Sequence, residues 1–229
     1  MSNNLLELLE DMKNSKGGMV LNRVEQFEFS KNLLHGNALD LAKAIAKFNG
    51  SDLIFNKTST NQQHKDLNRY LHNFLASAIT LIDHTRIFVK SYYEHTEFQQ
   101  IYNKKIKTGI AEDPLCKFVQ NLRNYILHRG IPFTAIRHQW HHENGEITEI
   151  SLDRDKLLEW DKWSVPAKTY LAEAPAKIEI KLFLLDYVQK IDELQGWIID
   201  SLKEIHKDDL AEYALLVEEY NRTGLHKSD

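Results

Sequence analysis

Apolar residues in this chain recur at spacings of three and four over stretches too long for anything but helices. Leu67, Leu71, Phe74, Leu75, Ala78, Ile82 and Val89 form one such stripe; Phe27, Leu34, Leu41, Ile45 and Phe48 form another. A residue that returns to the same side about every 3.6 positions draws an apolar face on a helix, and that face must be covered. The spacing predicts helices over Leu21 to Phe48, stopped by Asn49-Gly50, and over Leu67 to about Tyr93. A short helix is expected at 4–13, halted by Gly17-Gly18, with Lys57 to His64 as a polar connection. Four Pro and nine Gly in 229 residues leave little material for linkers, so one domain over 1–229 is expected.

Further along, Asp113-Pro114 is a helix start, with Asp as N-cap and Pro at the first helical position. That helix is expected over 114–129, ended by Gly130 and Pro132. The pattern then changes. Residues 133–152 are β-prone and centre on Asn144-Gly145, the strongest short signal for a hairpin. Asp153 to Trp163 reads as a short helix and Pro166 to Pro175 as a loop. A long helix is expected over 178–205, with a last segment to Tyr220 continuing it. The expected fold class is all-α, a helix bundle carrying one inserted β-hairpin at about 133–152.

Composition sets the surroundings. An apolar fraction of 42 % and a charged fraction of 27 % are those of a globular chain. Cys116 is the single cysteine, so no internal disulfide and no cysteine metal cluster is expected, which fits a reducing compartment. The Leu-rich start carries Glu7 and Glu10 without a basic leader, unlike a secretory signal. No apolar run approaches the roughly 18 residues that span a bilayer. A cytoplasmic location without membrane contact follows as the expectation. The net charge of −4 argues against a protein that coats nucleic acid indiscriminately. Its distribution is uneven, however. Pro114 to His142 holds no Asp or Glu but does hold Lys117, Arg123, Arg129, Arg137 and four His, whereas 33 acids in 229 residues would place about four there.

Within this acid-free stretch lies Arg123-Asn124-Tyr125-Ile126-Leu127-His128. Eight Arg and 11 His would produce an Arg-x4-His pair about 0.4 times by chance, and asking for Asn after the Arg lowers that to about 0.03. Arg137 and His142 share the five-residue spacing, but on a strand those positions face opposite sides. On the predicted helix, Leu115, Phe118, Val119, Leu122, Tyr125 and Ile126 fall on one core-facing stripe. Arg123 and His128 then lie on its two flanks, with Asn124 and Leu127 away from the core. A leucine among polar residues on an outer face points to a second surface covering it.

Arg, a small polar residue, further residues and then His on a late helix of a bundle resembles the R-x4-6-H signature of the HEPN superfamily. The resemblance rests on this hexapeptide and the helical frame. It implies a metal-independent endoribonuclease of the toxin or antiviral-defence kind, working as a homodimer whose two Arg/His sets meet in one cleft. It makes Arg123, Asn124 and His128 the candidate catalytic residues. His suits proton transfer near neutral pH, and Arg supplies a permanent planar fork for the phosphate. Lys117, Arg129, Arg137 and His141 are the candidate RNA-binding residues. RNA is the expected partner, with an antitoxin or other regulatory protein as a second; no cofactor and no metal are expected. Some HEPN toxins carry a Tyr two residues after the His that a partner nucleotidyltransferase modifies; Gly130 stands there, which puts such a partner in doubt.

A reading from another class is a non-catalytic helical interaction module that uses the same face for RNA or a protein partner. His138, Trp140, His141 and His142 lack a clear third ligand for a metal and read as hairpin surface. Asp83-His84-x-Arg86 reads as a salt-bridged face, Trp160 and Trp163 as packing, and Cys116 as inert core.

Overall fold

The computed structural model describes residues 3–47, 57–130, 132, 134–141 and 145–225. In chain order these form α1 (Asn3–Asn14), α2 (Lys16–Ala46), α3 (Lys57–Tyr93), α4 (Glu97–Ile106), a π-helical turn (Lys107–Ala111) and α5 (Pro114–Arg129). Next come β1 (Thr134–His141), β2 (Gly145–Asp153), α6 (Arg154–Leu158), α7 (Val165–Glu173), β3 (Lys177–Glu179), α8 (Ile180–Ile205) and α9 (Lys207–Leu225). The protein is a helix bundle carrying one β-hairpin. Among the described residues, no helix is long and apolar enough to cross a membrane.

The chain divides into two compact units, Met1–Phe29 with Glu193–Asp229, and Ser30–Asp192. In the first unit Leu5 and Leu8 of α1, Val20 and Phe27 of α2, and Leu194, Ile198 and Leu202 of α8 are buried. Gly17-Gly18 does not end a helix, as the sequence led one to expect. The break falls at Ser15, and both glycines open α2. Contact explains the choice: a Cβ on Gly17 would collide with the carbonyl oxygen of Asp209 and with Cβ of Tyr213 on α9. Glycine lets two backbones approach where any side chain would part them.

The larger unit holds the main core. Leu34, Leu41, Leu67, Leu71, Phe74, Phe118, Leu122 and Ile191 pack there with Ile150 and Leu152 at the base of the hairpin. Several sequence expectations need correction here. Lys57 to His64 is the start of α3, because apolar periodicity marks only the part of a helix that is covered and is silent on polar turns. The Asn49-Gly50 stop lies outside the described residues. Glu97–Ile106 and the π-helical turn had no counterpart in the sequence reading; Thr96 caps α4, accepting from Gln99 N–H at 3.3 Å. The segment from Pro166 to Pro175 is a helix, not a loop. Its two prolines bracket α7, one in the first turn where its missing N–H costs nothing, one just past the end. Asp153 to Trp163 is helical only over α6.

The hairpin pairs Thr134 with Leu152 through to His141 with Gly145. Gly145 therefore stands in the ladder rather than in the turn, and Asn144 lies outside the described residues. A third short strand joins this sheet. β3 sets Ile178 opposite Leu152, where 178 was expected to open the long helix. Lys177 donates to the carboxylate of Asp153 at 2.6 Å, tying the register, and α8 begins only at Ile180. The final segment is a helix of its own, α9, separated from α8 at His206.

The close approach at Gly17 has a direct consequence. Gly17→Ala should destabilise the protein by about 1–3 kcal/mol in chemical denaturation, since neither backbone can yield cheaply. An unchanged midpoint would show that α2 and α9 do not meet as described.

Candidate active site

Helix α5 carries the hexapeptide, and both of its ends are fixed by local chemistry. At the start, the Asp113 carboxylate accepts from Cys116 N–H at 2.9 Å and pairs with Lys190 of α8 at 2.8 Å, while Pro114 presets the first turn. Partial burial works against the charged carboxylate, but the hydrogen bonds from Lys190 and Cys116 outweigh it and hold its pKa below the ordinary value. At the other end Gly130, at φ 84°, turns the chain out of the helix and its N–H closes onto the Ile126 carbonyl at 3.0 Å.

One face of α5 is locked by aromatic packing. The Phe118 ring stacks on Tyr170 of α7 with centroids 4.5 Å apart and meets Phe183 of α8 edge-on at 5.6 Å. About two turns later, Tyr125 stacks on Trp163 at 5.8 Å and meets Trp160 edge-on at 5.5 Å. Both tryptophans are core, and Trp163 Nε1 donates to the Leu157 carbonyl. Between these contacts the Asn121 side chain accepts from Ser164 N–H at 2.7 Å, holding the start of α7 against the helix. No local pattern announces Asn121 in this role, because its partner is a backbone group 43 residues away.

The opposite face is where the candidate residues stand. His128 and Arg129 are exposed, and Leu127 is 52 % exposed, as the helical wheel anticipated; Arg123 is half-buried, and so is Asn124, which the wheel put away from the core. Among the described residues none makes a hydrogen bond or ion pair with the side chains of Arg123, Asn124 or His128. Five residues apart on a helix means about 140° around the axis and about 7.5 Å along it. Arg123 and His128 of a single chain therefore diverge from their backbone positions, with Asn124 between them. Lys117 lies further up the same side, and its ammonium donates to Gln120 Oε1 at 2.9 Å. Arg137 and His141 occupy β1, at register positions opposite Glu149 and Gly145; His142 lies outside the described residues.

The remaining candidates resolve simply. Arg86 pairs with Asp83 at 3.1 Å, and His84 Nδ1 shares a hydrogen bond with Ser30 Oγ at 2.6 Å. Cys116 is buried, and burial followed by the neighbouring Asp113 charge pushes its thiol well above the ordinary thiol pKa, so it stays protonated and unreactive. Among the described residues there is no group of three or more His, Cys, Asp or Glu placed to hold a metal ion. No protein-family model matches the chain, and neither the curated proteins nor the solved structures yield a significant match.

The anchor at Asp113 can be tested in two steps. Asp113→Ala should cost about 1–2 kcal/mol through the lost cap and the partly exposed ion pair. Asp113→Asn keeps the cap but not the charge. Because the folded pKa is depressed, the charge stabilises above the unfolded pKa and its contribution fades as pH falls through the folded one. The stability gap between wild type and Asp113→Asn should therefore close on acidification in urea titrations; a gap independent of pH would contradict the pairing.

Proposed function

We propose that this protein is a metal-independent endoribonuclease of HEPN type, a toxin or phage-defence effector, with Arg123, Asn124 and His128 as its working residues. The observation that carries the reading is an Arg/Asn/His set without partners among the described residues, on the outer face of a helix whose other face is fixed in the core, within a long acid-free stretch of an acidic chain. A rigid helix with free polar groups on one side is what a preorganised site requires.

In this reading the imidazole of His128 takes the proton from a ribose 2′-hydroxyl or returns one to the departing 5′-oxygen. The 2′-oxygen bonds to phosphorus, the bond to the 5′-oxygen breaks, and a 2′,3′-cyclic phosphate and a 5′-hydroxyl remain. Arg123 sets its planar fork against the phosphate oxygens as charge builds there. Asn124 orients the imidazole or the phosphate. Since the two side chains diverge on one helix, a site formed across a two-fold axis brings the Arg of one copy towards the His of the other, and Leu127 supplies apolar surface for that pairing. Lys117, Arg129, Arg137 and His141 hold the RNA backbone by charge. An antitoxin or regulatory protein covering the same face fits this reading.

The test is purified protein against mixed cellular RNA in EDTA, alongside growth on expression. Cleavage should leave cyclic-phosphate ends. His128→Ala should lower the rate by about 10²–10⁴-fold with the circular-dichroism spectrum kept. Arg123→Lys should fail as well, because a point charge does not replace the fork. Sedimentation should show a dimer. If wild type and His128→Ala behave alike in both assays, the nuclease reading falls, and a non-catalytic module binding through this face takes its place.

A further inference from the structure

We propose that a cavity beside the first turns of α5 is a binding site for an uncharged, ring-sized organic molecule bearing one hydrogen-bond acceptor. The cavity measures about 120 Å³ and lies wholly within the larger unit. That is the scale of a dry apolar cavity of about 150 Å³ that accepts benzene.

Its walls are aliphatic. Ile79 and Ile82 come from α3, and Ile106 and Ile110 come from α4 and the π-helical turn. The turn matters here: its wider coil carries Ile110 to the cavity, and single π-turns recur at functional sites. Two buried residues with polar groups, Cys116 and Tyr187, also line it. Burial and the neighbouring Asp113 carboxylate keep the Cys116 thiol protonated. Tyr187 is only 2 % exposed, with its ring edge-on to Phe74 at 5.9 Å, and its hydroxyl has no hydrogen-bond partner among the described residues. Burial, then the neighbouring Cys116, raises its pKa, so the group is a neutral O–H donor. An O–H without a protein partner among the described residues is available to an acceptor on a bound ring.

Asp83, Lys117 and Gln120 complete the polar lining. Lys117 donates to the neutral amide of Gln120 at 2.9 Å, which holds the ammonium without cancelling its charge, and Asp83 is paired with Arg86 at 3.1 Å. Four isoleucines and a neutral hydroxyl suit an uncharged, apolar body with one acceptor.

Phenol and benzene are probes of equal shape that differ in the one group that matters. The full chain, labelled at isoleucine δ1-methyls, is titrated with each. Phenol should shift the methyls of Ile79, Ile82, Ile106 and Ile110 saturably and leave those of Ile101 and Ile205 in place. It should bind several-fold tighter than benzene. Tyr187→Phe should bring phenol to the affinity of benzene without weakening benzene, and Ile110→Trp should abolish both. If a variant fails to fold, the wild-type preference for phenol over benzene still decides. No saturable shift, shifts spread over distant methyls, or equal affinity for the two probes would overturn the proposal and leave a cavity that holds water only.

Discussion

The stacking of Phe118 between Tyr170 and Phe183 fixes more of this molecule than any other contact. Three helices, α5, α7 and α8, meet through that ring, which is fully buried. Stacked and edge-on aromatic pairs hold both distance and angle, so they set the rotation of α5 about its own axis as well as its position. Rotation is what counts for the candidate site. A turn of one residue, about 100°, would carry Asn124 or His128 towards the core and Leu122 towards water. Tyr125 on Trp163 repeats the constraint further along the helix, and the Asp113 cap with Lys190 holds its start.

Fixing the helix this way leaves the side chains of Arg123, Asn124 and His128 without a hydrogen bond or ion pair among the described residues. Phe118, Leu122 and Asn121 hold the helix through packing and the bond to Ser164, and none of these contacts uses Arg123, Asn124 or His128. Separation of that kind allows substitutions on the outer face to report on function rather than folding. The same helix also bounds the small cavity, since Cys116, Lys117 and Gln120 stand one to two turns before Arg123. One element thus presents a polar surface to the outside and an apolar pocket towards α3.

Much of this was legible in the sequence because the signals were local and periodic. The stripe from Leu67 to Val89 and the Asp113-Pro114 start with its Gly130 end each depend on a few neighbouring residues, and the helices they announce lie where expected. The exposure of Leu127 followed from the same wheel. What escaped depended on partners far along the chain. Gly17-Gly18 reads as a stop until Asp209 and Tyr213 are seen against it. Ile178 reads as helix until Leu152 offers it a strand to pair with. The hairpin was placed correctly, but its pairing is set by the ladder, and Gly145 lies opposite His141 rather than at the tip. The cavity had no sequence signature, because its lining comes from four separate helical segments and a π-turn that no spacing rule announces.

The central claim is that Arg123 and His128 act together across two copies of α5, since on one helix they point apart. Mixing two inactive variants tests it most directly. Arg123→Ala and His128→Ala proteins, each inert alone, are unfolded together, refolded and assayed on RNA. A shared site predicts that activity returns, because dimers of mixed composition bring an intact Arg and an intact His into the same cleft. If the mixture stays as inert as its parts while forming mixed dimers, the two residues do not share a site across copies, and the account is contradicted.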